Sequence, residues 1–183
     1  LRANDIGVKF CKGATEMNFE AKRTIKTATF SLAASPQKVF PLLCPKRELE
    51  WVPGWEYEMI YSKSGYIEAG CIFKSRKPHG LEMIWTNVEY DPKNFRVGFL
   101  NVAPGVMAFH YRIRLRETAA ESCEATIEQI FTGLTEEGNR LIAGIAESSV
   151  NNAAMIAEPL DYYLKTGKLI NAAFGGEFHS GRP

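Results

Sequence analysis

The sequence has no apolar run approaching the roughly 20 residues of a membrane-spanning helix, and no positively charged segment followed by an apolar stretch at its start. A soluble, cytoplasmic protein without stable membrane insertion is the expectation. It also lacks an excess of either charge: 22 basic residues stand against 21 acidic ones, so no overall field would draw the chain to nucleic acid or an anionic surface. Arg112, Arg114 and Arg116 form a basic row whose spacing places them on one strand face, where solvation is the simpler account. Cysteine is sparse and scattered. Cys11, Cys44, Cys71 and Cys123 make no C-x-x-C pair, which leaves a zinc knuckle or redox motif unsupported and makes free thiols the expectation.

Catalytic signatures are missing too. His79 falls in a turn, His110 shares the outward phase of Arg112 and Arg114, and His179 lies in the tail, so no imidazole reaches an inward-facing position. No Ser-His-Asp arrangement, metal-ligand spacing or phosphate-cradling glycine loop is present, Gly175-Gly176 being only a superficial match. Neither a metal nor a cofactor is expected.

What is present is a chain of 183 residues with 45% apolar content, enough for one domain with its own core. Residues 1–23 have weak periodicity and read as an irregular arm with a short strand near Val8 to Cys11. Alternation marks a first strand over 24–32, with Ala28, Phe30 and Leu32 on one face. Ser35-Pro36 then starts a helix, the serine hydroxyl being suited to cap an orphan amide and proline to the first helical position. Pro41, Pro45 and Val52-Pro53-Gly54 break this stretch into two short helices. Strand patterns recur over 55–61, 67–75, 81–90, 95–102, 107–116 and 123–132, and their short connections predict an antiparallel meander.

Residues 136–166 carry a helical period, with Thr135 as N-cap and Gly167 as stop. Ile142, Ile145, Ala146, Ser149, Ala153, Ile156, Leu160, Tyr163 and Leu164 fall on one arc, opposite Arg140, Glu158 and Lys165. The arc is small at its centre, at Ala146, Ser149 and Ala153, where a solid core would carry larger side chains. Pro159 should kink this helix. Residues 168–183 form a Gly-rich tail.

The order of strand, two short helices, six strands and one long helix resembles the helix-grip fold of the SRPBCC or START-like superfamily. The resemblance rests on Ser35-Pro36-Gln37-Lys38-Val39-Phe40, on Cys44-Pro45-Lys46-Arg47-Glu48 through Trp51, on Gly54-Trp55, and on Ser64-Gly65 with Glu68, Gly70, Cys71 and Phe73. It implies an α+β domain over 24–167, a curved antiparallel sheet of about seven strands gripping the C-terminal helix around a cavity for a hydrophobic small molecule. Alternation nominates Trp55, Tyr57, Phe73, Phe99, Tyr111, Ile113 and Ile127 for the wall, with Ser149, Ala153, Ile156 and Tyr163 from the helix. Plain core packing explains the same list. Trp85, ambiguous in phase, joins Trp51 and Trp55 as a residue large enough for a wall or mouth. Gln129, in phase with Ala125, Ile127 and Phe131, is a polar candidate that would contact either a ligand or Tyr111. Asn101 and Asn87 are weaker polar candidates of the same kind, because their strands alternate poorly. Arg47-Glu48 reads as a surface ion pair or as a rim site for an anionic head group, and Glu68 as a solvated edge charge. The expectation is a binder of a hydrophobic or aromatic molecule. Its rivals are a cyclase or dehydratase acting on a polyketide-like substrate and a protein-interaction module, with a homodimer left open.

Overall fold

The residue classes of period two sort cleanly in three dimensions. In β1 (Arg23–Leu32), Thr24, Lys26, Ala28, Phe30 and Leu32 face inward while the alternate residues are exposed. The computed structural model describes residues 19–76, 82–147 and 152–170. The expected strand near Val8 to Cys11, the turn with His79, and the tail with His179 lie outside that set.

After β1 come α1 (Pro36–Val39), a 3-10 turn (Phe40–Leu43) and α2 (Pro45–Glu48). Six strands come next: β2 (Tyr57–Tyr61), β3 (Ile72–Arg76), β4 (Glu82–Asp91), β5 (Arg96–Ala103), β6 (Met107–Ala119) and β7 (Ser122–Gly133). Two helices close the described chain, α3 (Glu136–Glu147) and α4 (Asn152–Thr166). All seven strands pair antiparallel in the order β1-β7-β6-β5-β4-β3-β2, so the sheet is a meander whose last strand returns beside the first. The sheet is curved and the C-terminal helix lies against it.

Local chemistry explains where elements begin and end. Ser35 takes the extended N-cap conformation, but its side chain makes no cap bond; its carbonyl accepts from Lys38 and Val39 instead, at 3.0 and 3.1 Å. The serine hydroxyl is therefore not the cap that the sequence suggested. Thr135 is one, accepting from the Gly138 amide at 3.1 Å. Trp55 lies before β2 rather than in it, because its amide closes a turn onto Val52 and its indole donates to Pro45. The expected strand over 67–75 shortens to Ile72–Arg76. Glu68, expected to be free at the edge, instead accepts from the Lys63 amide and the Ser62 hydroxyl, and Gly70 turns with φ +79°. Gly167, at φ +66°, ends α4 by donating to Tyr163 at 2.7 Å.

The single long helix expected over 136–166 is described as α3 and α4, with 148–151 outside the described residues. Ile142 and Leu160 are its most buried side chains, each 1% exposed. Ala146, expected on the buried arc, is exposed, as are Ala143 and Gly144, while α3 meets β1 and β7 and Ile145 packs against the core. Asn139 fastens that contact, accepting from the Lys22 amide and donating to the Glu20 carbonyl, both at 2.9 Å.

Candidate functional site

Cross-strand register assembles the inner face row by row, since directly paired residues project to the same side. One row runs Phe73, Trp85, Asn101, Phe109, Phe131 and Thr24 across six strands. The next runs Asn87, Phe99, Tyr111, Gln129 and Lys26, and beyond it lie Val97, Ile113, Ile127 and Ala28. A β-bulge between Asn87 and Glu89 shifts the pairing. It flips the phase of β4 and puts Tyr90, stacked on Phe40 at 5.7 Å, on the same side as Trp85. This is why the strand alternates poorly in sequence.

Aromatic rings cover the middle of this face. Phe73 and Trp85 stack at 5.6 Å, Phe99 meets both edge-on at 5.9 and 6.0 Å, and Phe109 stacks on Phe131 at 4.4 Å. Trp55 and Tyr57 extend the array toward β2, Trp55 approaching Trp85 at 6.4 Å. All three indole N–H groups are spent within the protein: Trp51 on Leu42 and Trp85 on Ser75, each at 2.9 Å, and Trp55 on Pro45. The tryptophans therefore offer ring surface rather than donors.

The centre of the face is not uniformly sealed. Phe73 and Ile127 are 2% and 3% exposed, whereas Trp85 and Phe109 each keep 8% and Gln129 keeps 9%. Tyr111 sits deep enough that burial pushes its phenol far above the ordinary value, yet its side chain retains accessible surface. The middle of the inner face thus keeps some accessible surface at these side chains.

Of the nominated residues, Trp55, Tyr57, Phe73, Trp85, Phe99, Tyr111, Ile113, Ile127 and Gln129 meet on this face. Ile156 packs toward it from α4. Ser149 lies outside the described residues, and only the backbone of Ala153 is described. Tyr163 is at the rim, its hydroxyl donating to Glu50. Glu50 also receives a two-pronged contact from Arg47, so the carboxylate that holds Arg47 is Glu50. The cluster joins the segment after α2 to α4. The Arg47 hydrogen bonds hold the Glu50 carboxyl below its usual range, and the Glu50 hydrogen bond raises the Tyr163 phenol.

Asn87 and Asn101, the weaker polar candidates, complete the face together with Phe109 and Lys26, which are not among the residues nominated from the sequence. Period two could have found two of them, since Phe109 is in phase with Tyr111 and Lys26 with Ala28. Among the described residues the middle of the sheet's inner face carries no carboxylate or imidazole; Glu117, paired with Cys123, shares the inward register only at the exposed end of β6. His110 faces outward between Leu100 and Ile130, with its pKa lowered by burial and then by Arg112. Arg112 pairs with Glu128 at 2.7 Å beside a cleft of about 100 Å³ lined by Thr27, Arg112, Arg114, Thr126 and Glu128 on the outer face. Cys44, Cys71 and Cys123 are buried free thiols.

A curved seven-stranded antiparallel sheet, two short helices after its first strand and a C-terminal helix across its aromatic face decide the architecture. The chain has the helix-grip fold. No family model and no curated protein sequence matches it. Helix-grip structures do. Norcoclaurine synthase from Thalictrum flavum, in complex with dopamine and hydroxybenzaldehyde, superposes with a TM-score of 0.61 at 14% identity, covering 81% of this chain and 90% of its own. Zhui aromatase/cyclase from Streptomyces sp. R1128 gives 0.59 at 15% identity, covering 81% and 100%. Ara h 8.0201 gives 0.54 at 10% identity, covering 79% and 99%. All three are SRPBCC or START-like proteins. At such identities the likeness is one of fold. No described helix is long and apolar enough to cross a membrane.

Proposed function

We propose that this helix-grip chain binds a hydrophobic small molecule of aromatic character between the inner face of its sheet and its C-terminal helices. The observation that carries this is the residual accessibility of Trp85, Phe109, Tyr111 and Gln129 in the middle of an otherwise sealed aromatic face. Apolar walls with a few fixed polar groups are what small-molecule sites require. The molecules bound by the structurally similar norcoclaurine synthase, dopamine and hydroxybenzaldehyde, are of that size and chemistry.

Binding is favoured over acid–base catalysis by the residues themselves. A cyclase would use Gln129, Tyr111 or Tyr163 to position its substrate; Gln129 and Tyr111 are register partners, while the Tyr163 hydroxyl is committed to Glu50. With the Tyr111 pKa raised by burial, the phenol stays protonated at neutral pH, so it donates a hydrogen bond and does not serve as a base. Detergent-free protein extracted with organic solvent and examined by mass spectrometry should release a stoichiometric apolar compound, or the emptied protein should take up 2-naphthol or naphthalene. Failure to hold any such molecule, in a protein whose interior proves filled by side chains, would overturn the proposal.

A further inference from the structure

Asn101 is fully buried, 0% exposed, and neither its Oδ1 nor its Nδ2 has a hydrogen-bond partner. It occupies the inner row between Trp85 on β4 and Phe109 on β6. Those two rings lean together over the shorter asparagine until their centroids are 6.3 Å apart, edge to face, which accounts for its burial. Beside it, Asn87 is 2% exposed; its Nδ2 donates to the Glu89 and Gly98 carbonyls, both at 3.0 Å, which fixes the amide orientation and leaves Oδ1 unpartnered. Tyr111 is diagonal to Asn101 on β6 and lies on the far side of Phe99 from Asn87, which pairs with Phe99 from β4. Buried carboxamides are rarely left without partners, and an apolar side chain of similar size would avoid the penalty.

Resting on the binding reading above, we infer that Asn101 is the polar anchor of the ligand site, and that the ligand is a neutral aromatic molecule bearing a hydroxyl. Asn101 offers both a donor and an acceptor, and Asn87 Oδ1 beside it a further acceptor. A hydroxyl, which both donates and accepts, satisfies such a set; a carboxylate, which only accepts, would face the Asn87 oxygen with no proton to give it. A flat ring between two others needs about 7 Å, twice a carbon contact distance of ~3.5 Å. Admitting it requires the 6.3 Å separation of Trp85 and Phe109 to widen and the Phe109 ring to turn, which gives up its 4.4 Å stack on Phe131. The entering ring offers stacked contacts in place of those given up and uncovers Asn101.

The test is Asn101→Leu, read with 2-naphthol and with naphthalene, which differs by the hydroxyl alone. The wild-type chain should bind 2-naphthol more tightly. The variant should lose about ten-fold in 2-naphthol affinity, the scale of one buried hydrogen bond, while naphthalene affinity stays within about two-fold. Its melting temperature should be unchanged or higher, because two stranded polar groups are gone. Asn101→Ala, which removes the amide without adding bulk, should show the same divergence between probes and serves if the leucine variant does not fold. If wild type binds naphthalene but 2-naphthol no tighter, or if the variants weaken both probes equally, the anchor is refuted while the cavity stands. If wild type binds neither, the binding proposal falls and the anchor with it.

Discussion

Replacing Asn139 by alanine probes the joint that seats the C-terminal helices on the sheet. The side chain is 4% exposed and makes two hydrogen bonds to backbone groups before β1, from the Lys22 amide and to the Glu20 carbonyl, both at 2.9 Å. Alanine removes both bonds and leaves two partly buried main-chain groups without their partner. Each bond contributes about 0.5–1.5 kcal/mol net, and a stranded buried group costs about 1–3 kcal/mol. Because Lys22 and Glu20 lie near the surface and recover part of their hydration, the total loss should be about 2–4 kcal/mol. For a domain of this size that corresponds to a fall in melting temperature of roughly 5–15 °C. Urea denaturation with an unchanged slope would assign the loss to the folded state. A loss below about 0.5 kcal/mol would refute the reasoning, since it would mean that α3 is held by Ile142 packing alone.

Other expectations rest on neighbouring geometry. Gly133→Ala would place a Cβ 2.3 Å from Asn139 Oδ1 and 2.8 Å from its backbone nitrogen, so it should destabilise, and less so in the Asn139→Ala background; equal costs in both would contradict the packing. The Asp91 carboxyl, held down to about 2 by the Asn94 side chain and then by Arg96, should titrate there by NMR. Its unfolded value lies near 3.8, so the stabilisation is complete above about pH 4 and disappears as pH falls through 2; a native value near 3.8 would show the turn is not formed. Tyr163→Phe removes the Glu50 contact at a half-exposed site and should cost less than about 1 kcal/mol, measured by urea denaturation. Because the Glu50 carboxyl is held below its usual range, the cluster's contribution is present at neutral pH and lost on acidification below about pH 4; a larger effect at low pH than at neutral pH would be the wrong sign.

Period two and the turn residues were enough to read seven strands and an antiparallel meander, because each strand has one face sealed and one solvated, but not the return of β7 beside β1. The aromatic wall emerged from the same signal at Phe73, Phe99 and Tyr111. What was illegible depended on register. The bulge after Asn87 reverses the phase of β4, so neither Asn87 nor Trp85 could be assigned a side from spacing. Asn101 becomes conspicuous only when Trp85 and Phe109, sixteen and eight residues away in sequence, close over it. Arg47 stands next to Glu48 in sequence, whereas the helical geometry after α2 brings it to Glu50, three residues on. Ala146 fits the helical arc, but its outcome depends on how closely α3 tracks the sheet, which no periodicity encodes.

Intermolecular NOEs between 2-naphthol and the isotope-labelled protein test the central claim most directly. Contacts from ring protons to Phe99, Phe109, Ile113 and Ile127, all on the inner face, are the predicted result. Contacts confined to the outward-facing Ile84, Leu100 and Ile25, or none at all at saturating probe, would contradict it.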